Sequence, residues 1–294
     1  MTFLAELAIH ILGNKEIPLH EVAVILPNKR AAKFLQQSLI SKSEKPIFSP
    51  AIFAINDFIE NISTKTKLSK SLLLIKLFSI YKEFDYAKGK SFLEFISWGE
   101  TFLKDINDID MQLADANEIF KNLGEIKELE TSFGKETLTA NQTNYIDFYT
   151  HLKDIYIKFS DSLLKEESGY EGQIYKDVAE NISFYSQRFH YKRYIFAGLS
   201  TLAPSEIKII HYFCQNFKAE LYFDYDIFYS EHYTAALDKL KIQLQLDSIM
   251  GISNHFATVG KTITQVGISK KMSQIYYAID KLNEIKEAKG NLNN

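Results

Sequence analysis

The sequence predicts an α/β fold interrupted by a long all-helical stretch, and three observations carry that prediction. Val22–Leu26 is a continuous apolar run of strand length, closed by Pro27-Asn28 and followed at once by an amphipathic helix. A strand apolar on both faces suits the centre of a parallel sheet, and the turn at its carboxyl end is where such folds bind ligands. A second strand–turn–helix unit begins at Arg193–Leu199, with Pro204 suited to the first turn of the helix that follows. Between the two units, from Ser63 to His190, the apolar spacing is helical throughout.

Taken in order, Thr2–Leu12 places Phe3, Leu4, Leu7, Ala8, Ile11 and Leu12 on one side of a helix that stops at Gly13-Asn14. After the Val22–Leu26 strand, a helix is expected from Asn28 to Ile40, then a short strand at Ala51–Ala54, with Asn56 capping a helix that begins at Asp57. In the helical stretch, Leu73, Leu74, Leu77, Phe78, Tyr81 and Phe84 follow i, i+3, i+4 spacing, as do the apolar residues around the lone Trp98. Further helices are expected over Leu113–Leu123, Ile126–Phe133, Thr139–Leu164 and Glu171–Phe189. The final part reads as a helix from Pro204 to Phe217, a strand at Ala219–Phe223, a helix near His232–Leu246, a glycine-spaced loop, a last strand at Thr262–Gly267 and a helix over Met272–Ala288. The expected organisation is a first α/β part (Met1–Ile62), a helical insertion (Ser63–His190), a second α/β part (Tyr191–Gly260) and the opening of a following domain (Lys261–Asn294).

At 294 residues, 46% hydrophobic and 24% charged, the chain has the composition of a soluble protein with ample core. The net charge of −3 gives no global argument for a polyanion partner, although a lysine-rich stretch from Lys65 to Lys90 precedes an acidic one from Asp105 to Glu130. The 22 Phe and 17 Tyr recur at helical spacing, which assigns them to the core. The single Cys214 cannot form an internal disulfide, and a reducing, cytoplasmic setting is expected. No apolar run is long enough for a membrane span, and the amino end lacks the basic start of a signal peptide.

The local motifs leave no visible catalytic centre. Gly260-Lys261-Thr262 spells the end of a phosphate loop, but His255 stands where the earlier glycine belongs and a strand, not a helix, is expected to follow. Asp105, Asp108 and Asp110 lack the glycine and glutamate of a calcium loop, with Leu113 and Ile119 in those places, so they read as helix caps and exposed charge. The Glu-x-Lys triplets at Glu125, Glu206 and Glu284 lie in expected helices without the strand-borne aspartate of a metal-dependent nuclease, and read as salt-bridging residues. No metal site is expected: the seven histidines do not cluster, and His211 beside Cys214 has core-like spacing.

The order of the segments carries a resemblance. VAVILPNKRAAKFL, FISWGETFLKDINDIDMQLADANEIFKNL, GYEGQIYKDV, YIFAGLSTLAPSE and AELYFDYDIFY occur in an order similar to that of the inactivated superfamily-one helicase region of AddB-like helicase–nucleases, which belong to the PD-(D/E)XK nuclease family. The resemblance spans almost the whole chain and implies a RecA-like (P-loop NTPase-type) parallel sheet with a large helical insertion. Val22–Ala32 resembles the helicase turn that contacts single-stranded DNA, which nominates Asn28, Lys29, Arg30 and Lys33 for DNA contacts, helped by lysines of the insertion. The bland alternative for the same residues, helix capping and solvent exposure, stands beside it.

The same resemblance implies that ATP hydrolysis is lost. No phosphate loop is expected upstream of the Thr2–Leu12 helix. Ala197 and Gly198 stand where a magnesium-binding Asp-Glu pair belongs. In the next motif Asp224 and Asp226 match, while Ile227 replaces the phosphate-sensing glutamine. The expectation is a region of a DNA repair nuclease with no cofactor or catalytic residue of its own, partnered by DNA and by a helicase–nuclease subunit, and either a piece of a longer chain that bears the nuclease or a split subunit. The alternative is a structural interaction module for such a subunit, with no DNA binding.

Overall fold

The computed structural model describes residues 2–132, 147–217, 219–229, 238–245, 250–258, 260 and 262–289. Its centre is a five-stranded sheet made of β1 (Val22–Leu26), β2 (Ala51–Ala54), β5 (Arg193–Ala197), β6 (Glu220–Asp226) and β7 (Met250–Ser253), in the order β2-β1-β5-β6-β7. Every pairing in it is parallel. The fully apolar run of β1 therefore sits where its sequence requires, between β2 and β5 and buried on both faces.

Strand alternation sends the two sets of side chains into two cores. Val22, Val24, Leu26, Ile195 and Ala197 meet Leu7, Ala8 and Ile11 of α1 (Phe3–Gly13) and Leu35 and Leu39 of α2 (Lys29–Lys42). Ala23, Ile25, Tyr194, Phe196, Leu221 and Phe223 face the opposite way. They meet α3 (Ile55–Ile62), α8 (Glu171–Glu180) and α9 (Pro204–Phe217). The result is a three-layer α/β arrangement. Thr2 caps α1 through its side chain and Asn28 caps α2, each by accepting a first-turn amide.

The insertion is closed by a ribbon that helical periodicity hides. β3 (Thr66–Lys67) pairs in parallel with β4 (Ser168–Gly169), so the stretch is not helical throughout and its two ends lie side by side. Between them α4 (Lys70–Tyr81), α5 (Phe92–Met111), α6 (Ala116–Ser132) and α7 (Leu152–Lys165) build their own core around Leu77, Phe95, Ile106, Ile155, Phe159 and Leu163. Trp98 meets Tyr81, Phe95 and Phe148 edge-on at 4.9 Å, so the aromatic residues act here as packing. This core ends at Tyr170, and the residues after it pack on the sheet.

Three sequence expectations are corrected. Asn56 does not cap α3: it lies inside the helix, donating to Glu171 Oε1 at 2.9 Å and accepting from the Tyr175 hydroxyl at 2.9 Å. Residues 262–267 form no strand; the fifth strand is Met250–Ser253, inside the stretch expected to be loop. Gly251, at φ 84°, allows a bulge where the register with β6 shifts between Tyr222 and Tyr225, so its glycine marks a bent edge strand. Asp110 is no surface cap: it is 1% exposed and accepts from Tyr156, Tyr170 and Lys176. The helix expected from Thr139 and the one expected from His232 begin outside the described residues, with residues 238–244 helical.

By chain contacts the molecule divides into Met1–Ser253 and Asn254–Asn294. The second unit is built on α10 (Lys271–Lys289). Among the described residues, no helix is long and apolar enough to cross a membrane.

At the amino edge of the sheet, Arg193 is buried and donates to both oxygens of Glu220, at 2.5 and 2.9 Å, while His10 Nε2 lies 2.7 Å from Glu220 Oε2. Burial pushes the Glu220 carboxyl up, but the hydrogen bonds from Arg193 and His10 outweigh it and hold the group below the usual glutamate range. A depressed native pKa adds stability that is complete above the unfolded value of about 4.3 and disappears as pH falls through the native one. Urea midpoints measured from pH 7 to pH 3 should therefore fall less steeply for Glu220→Gln than for the unaltered chain; parallel profiles would refute the linkage.

Candidate functional site: the carboxyl edge of the sheet

The chain runs from β1 outward to β2, then crosses back over β1 to β5 and continues to β6 and β7, so the topological switch point lies between β1 and β5. Crevices at such points are the usual ligand sites of open parallel sheets. A cleft of about 480 Å³ opens there, lined by Phe3, Pro27, Phe34, Ser38, Gly198 and Asp224 among others. Its size falls in the range of about 300–1,000 Å³ typical of small-ligand pockets.

Gly198 shapes one wall. It follows β5 with φ 69°, a left-handed conformation that favours glycine, and donates its amide to the Tyr222 carbonyl at 2.8 Å. A Cβ at this position would come within 3.2 Å of the Phe3 ring. The ring itself lies 5.7 Å from that of Tyr222, so α1 lays an aromatic surface beside the end of β5. Ala197 is fully buried.

The two aspartates after the core of β6 differ. Asp226 accepts the Phe228 amide at 2.9 Å and the Ser253 hydroxyl at 3.2 Å, which ties β6 to β7. Asp224 is exposed, lines the cleft and has no hydrogen-bond partner among the described residues. Burial by its surroundings, and then the charge of Glu6 on α1, raise its carboxyl above the usual range. Ile227 is half exposed, beyond the end of the strand.

The four residues nominated for DNA occupy the first turns of α2, at the same edge. Asn28 Oδ1 accepts the Ala31 amide at 2.9 Å, so its side chain serves the helix. Lys29 meets Asp57 Oδ1 at 3.0 Å across the surface and is 80% exposed, a pairing worth little in water. The Arg30 guanidinium lies 5.6 Å from the centre of the exposed Phe34 ring, and Lys33 is exposed. The edge thus brings Asn28, Lys29, Arg30 and Lys33 into the same region as Ala197, Gly198 and Asp224. Sequence reasoning did not single out Phe3 or Phe34; the exposed Phe34 beside Arg30 in an otherwise polar face was the available signal.

The first half of the lysine-rich stretch is paired with carboxylates. Lys65 pairs with Asp177 at 2.9 Å, Lys67 with Glu60 and Glu171, Lys70 with Glu100 at 3.0 Å, and Lys76 with Glu166 at 2.7 Å. The remaining motifs serve the fold. Glu206 accepts the Ala203 amide at 2.8 Å, Glu125 and Glu284 meet lysines on their own helices, and His211 Nδ1 contacts the Leu244 carbonyl at 3.2 Å. Burial pushes the Cys214 thiol up to about 11, which leaves it protonated and inert. Among the described residues no group of three or more His, Cys, Asp or Glu could hold a metal ion.

The arrangement defines a class: a three-layer α/β protein with an all-parallel sheet and a cleft at its switch point. In comparisons with known proteins, no family model matches the chain, and no curated protein is significantly similar to it.

Proposed function

We propose that this chain is a RecA-like, non-hydrolysing helicase region of an AddB-like helicase–nuclease, which holds single-stranded DNA along the carboxyl edge of its sheet. One observation supports the reading most: the three segments that resemble helicase motifs end on neighbouring strands β1, β5 and β6, at one edge, around one cleft. At that edge β5 ends in Ala197-Gly198 with the Phe3 ring against Gly198, an apolar surface where an active helicase would present an Asp-Glu pair. Lys29, Arg30 and Lys33 are exposed beside it and supply sequence-blind phosphate contacts.

Replacing Lys29 and Arg30 together with Ala should remove about two phosphate contacts, which for a single strand lowers the slope of log affinity against log salt by about 1.4. Fluorescence anisotropy with labelled oligonucleotides over a salt series measures it, and an unchanged slope would remove these residues from the interface.

A second reading, a partner-binding module without DNA contacts, is favoured by different observations. Lys65, Lys67, Lys70 and Lys76 of the insertion are already paired with carboxylates, and α10 exposes Met272, Ile275, Tyr276, Ile279 and Leu282 at helical spacing. Absence of any oligonucleotide shift, with capture of a nuclease subunit, would select it.

A further inference from the structure

We infer that the switch-point cleft takes a guanine base, supplied by a single strand lying along α2 or by a free guanine nucleotide. For a strand as the source, the inference rests on the DNA-binding reading above.

The walls suit a flat, apolar ring. Phe3 and Phe34 bring aromatic surfaces and Pro27 an aliphatic one, and nucleobases are held on single-strand binders chiefly by such stacking. Charge decides which end of a nucleotide enters. The Asp224 carboxylate inside and Glu6 close to it disfavour a phosphate, so the base leads and the phosphate stays outside, where Arg30 lies beside Phe34.

Asp224 then selects the base. An ionised carboxylate only accepts hydrogen bonds, and its two oxygens can take two donors side by side. Guanine offers that pair on its Watson–Crick edge, the ring N1–H and the exocyclic N2 amine. Adenine and cytosine present one amine there, and thymine one imino group. Of the two aspartates at this edge only Asp224 is open to such a ligand, because Asp226 is occupied by Phe228 and Ser253.

The test uses the full chain, labelled all-thymine, thymine–guanine and thymine–hypoxanthine strands, and unlabelled guanosine monophosphate followed by calorimetry. The guanine strand should bind about tenfold more tightly than the all-thymine one, the discrimination expected of a bidentate pair. Hypoxanthine, which lacks the N2 amine, should lose most of that gain. Asp224→Asn should abolish the preference while keeping the affinity for thymine, its thermal melt reporting that the fold is intact. Phe34→Ala should weaken all strands alike. Binding of guanosine monophosphate but of no strand, lost in Asp224→Asn, would support the cleft assignment and overturn the DNA reading. Strand binding without a guanine preference, or with one that survives Asp224→Asn, would overturn the inference and leave the DNA reading standing. Failure of both strands and guanosine monophosphate to bind would overturn both.

Discussion

Phe58→Ala is expected to destabilise the protein by about 3–5 kcal/mol, the range for emptying a large, fully buried aromatic site. Phe58 of α3 is completely buried and meets Phe189 and Phe213 at 5.4 Å, Phe196 at 5.9 Å and Phe53 at 6.1 Å. These rings come from four different parts of the chain, each fixed by its own backbone, so they cannot all collapse into the vacated volume. For a chain of this size the loss corresponds to a fall in melting temperature on the order of 10 °C. Phe58→Leu, which keeps most of the volume, should lose less than half as much. A melt of the alanine variant within a degree or two of the parent would mean that the α3 layer is not packed as described.

Asp110→Ala is expected to remove about 3 kcal/mol, at the low end of the roughly 3–5 kcal/mol for breaking a buried ion pair. The carboxylate of Asp110, on α5, accepts the Tyr156 hydroxyl at 2.8 Å, the Tyr170 hydroxyl and Lys176 Nζ at 3.0 Å. Burial, and then the Asp110 charge, push the Tyr156 phenol up to about 12 and that of Tyr170 well above its usual value, so both remain donors at any working pH. Without the carboxylate, two buried hydroxyls and a cation lose their acceptor. Lys176 is 28% exposed and can swing to water, which places the estimate at the lower limit. The double variant Asp110→Leu with Lys176→Met should recover stability relative to Asp110→Ala, since replacing both partners leaves no orphan charge. Urea midpoints with an unchanged m-value measure both. A double variant no better than the single one would show that the charge pair is not the source of the effect.

These two residues also show what a sequence can and cannot disclose. The strand Val22–Leu26, the helix ended by Gly13-Asn14, the second unit at Arg193 and the helix opened by Pro204 are all written in local spacing and caps, and they form as expected. Asp110 is different. The nearest charged residues before it in sequence, Asp108 and Asp105, are carboxylates too, and the partners that bury it lie 46, 60 and 66 residues away. Asn56 has the same character: its composition suits a cap, but bonds to Glu171 and Tyr175 hold it inside a helix. At the sheet edge the reverse error arises. Thr262–Gly267 has the alternation of a strand but no partner strand, whereas the four residues of β7 are too short and glycine-broken to signal one, yet have the free edge of β6 beside them. For the cleft, the basic turn of α2 was legible in its residue types. The Phe3 wall and the separation of Asp224 from Asp226 depend on which strands are neighbours, and that is set by topology.

The β3–β4 ribbon bears on the entropy of closing the sheet. Val22 pairs with Arg193, and a free chain of that span closes a loop on the order of 170 residues. Thr66 beside Ser168 clamps the insertion at its base, so once the insertion has folded, only the segments outside the clamp count, on the order of 70 residues. With closure entropy growing as the logarithm of length, the clamp lowers the penalty of the central β1–β5 pairing by about 0.8 kcal/mol. Two short strands of two residues each thus let a sheet carry, in the middle of its sequence, an insertion with a hydrophobic core of its own.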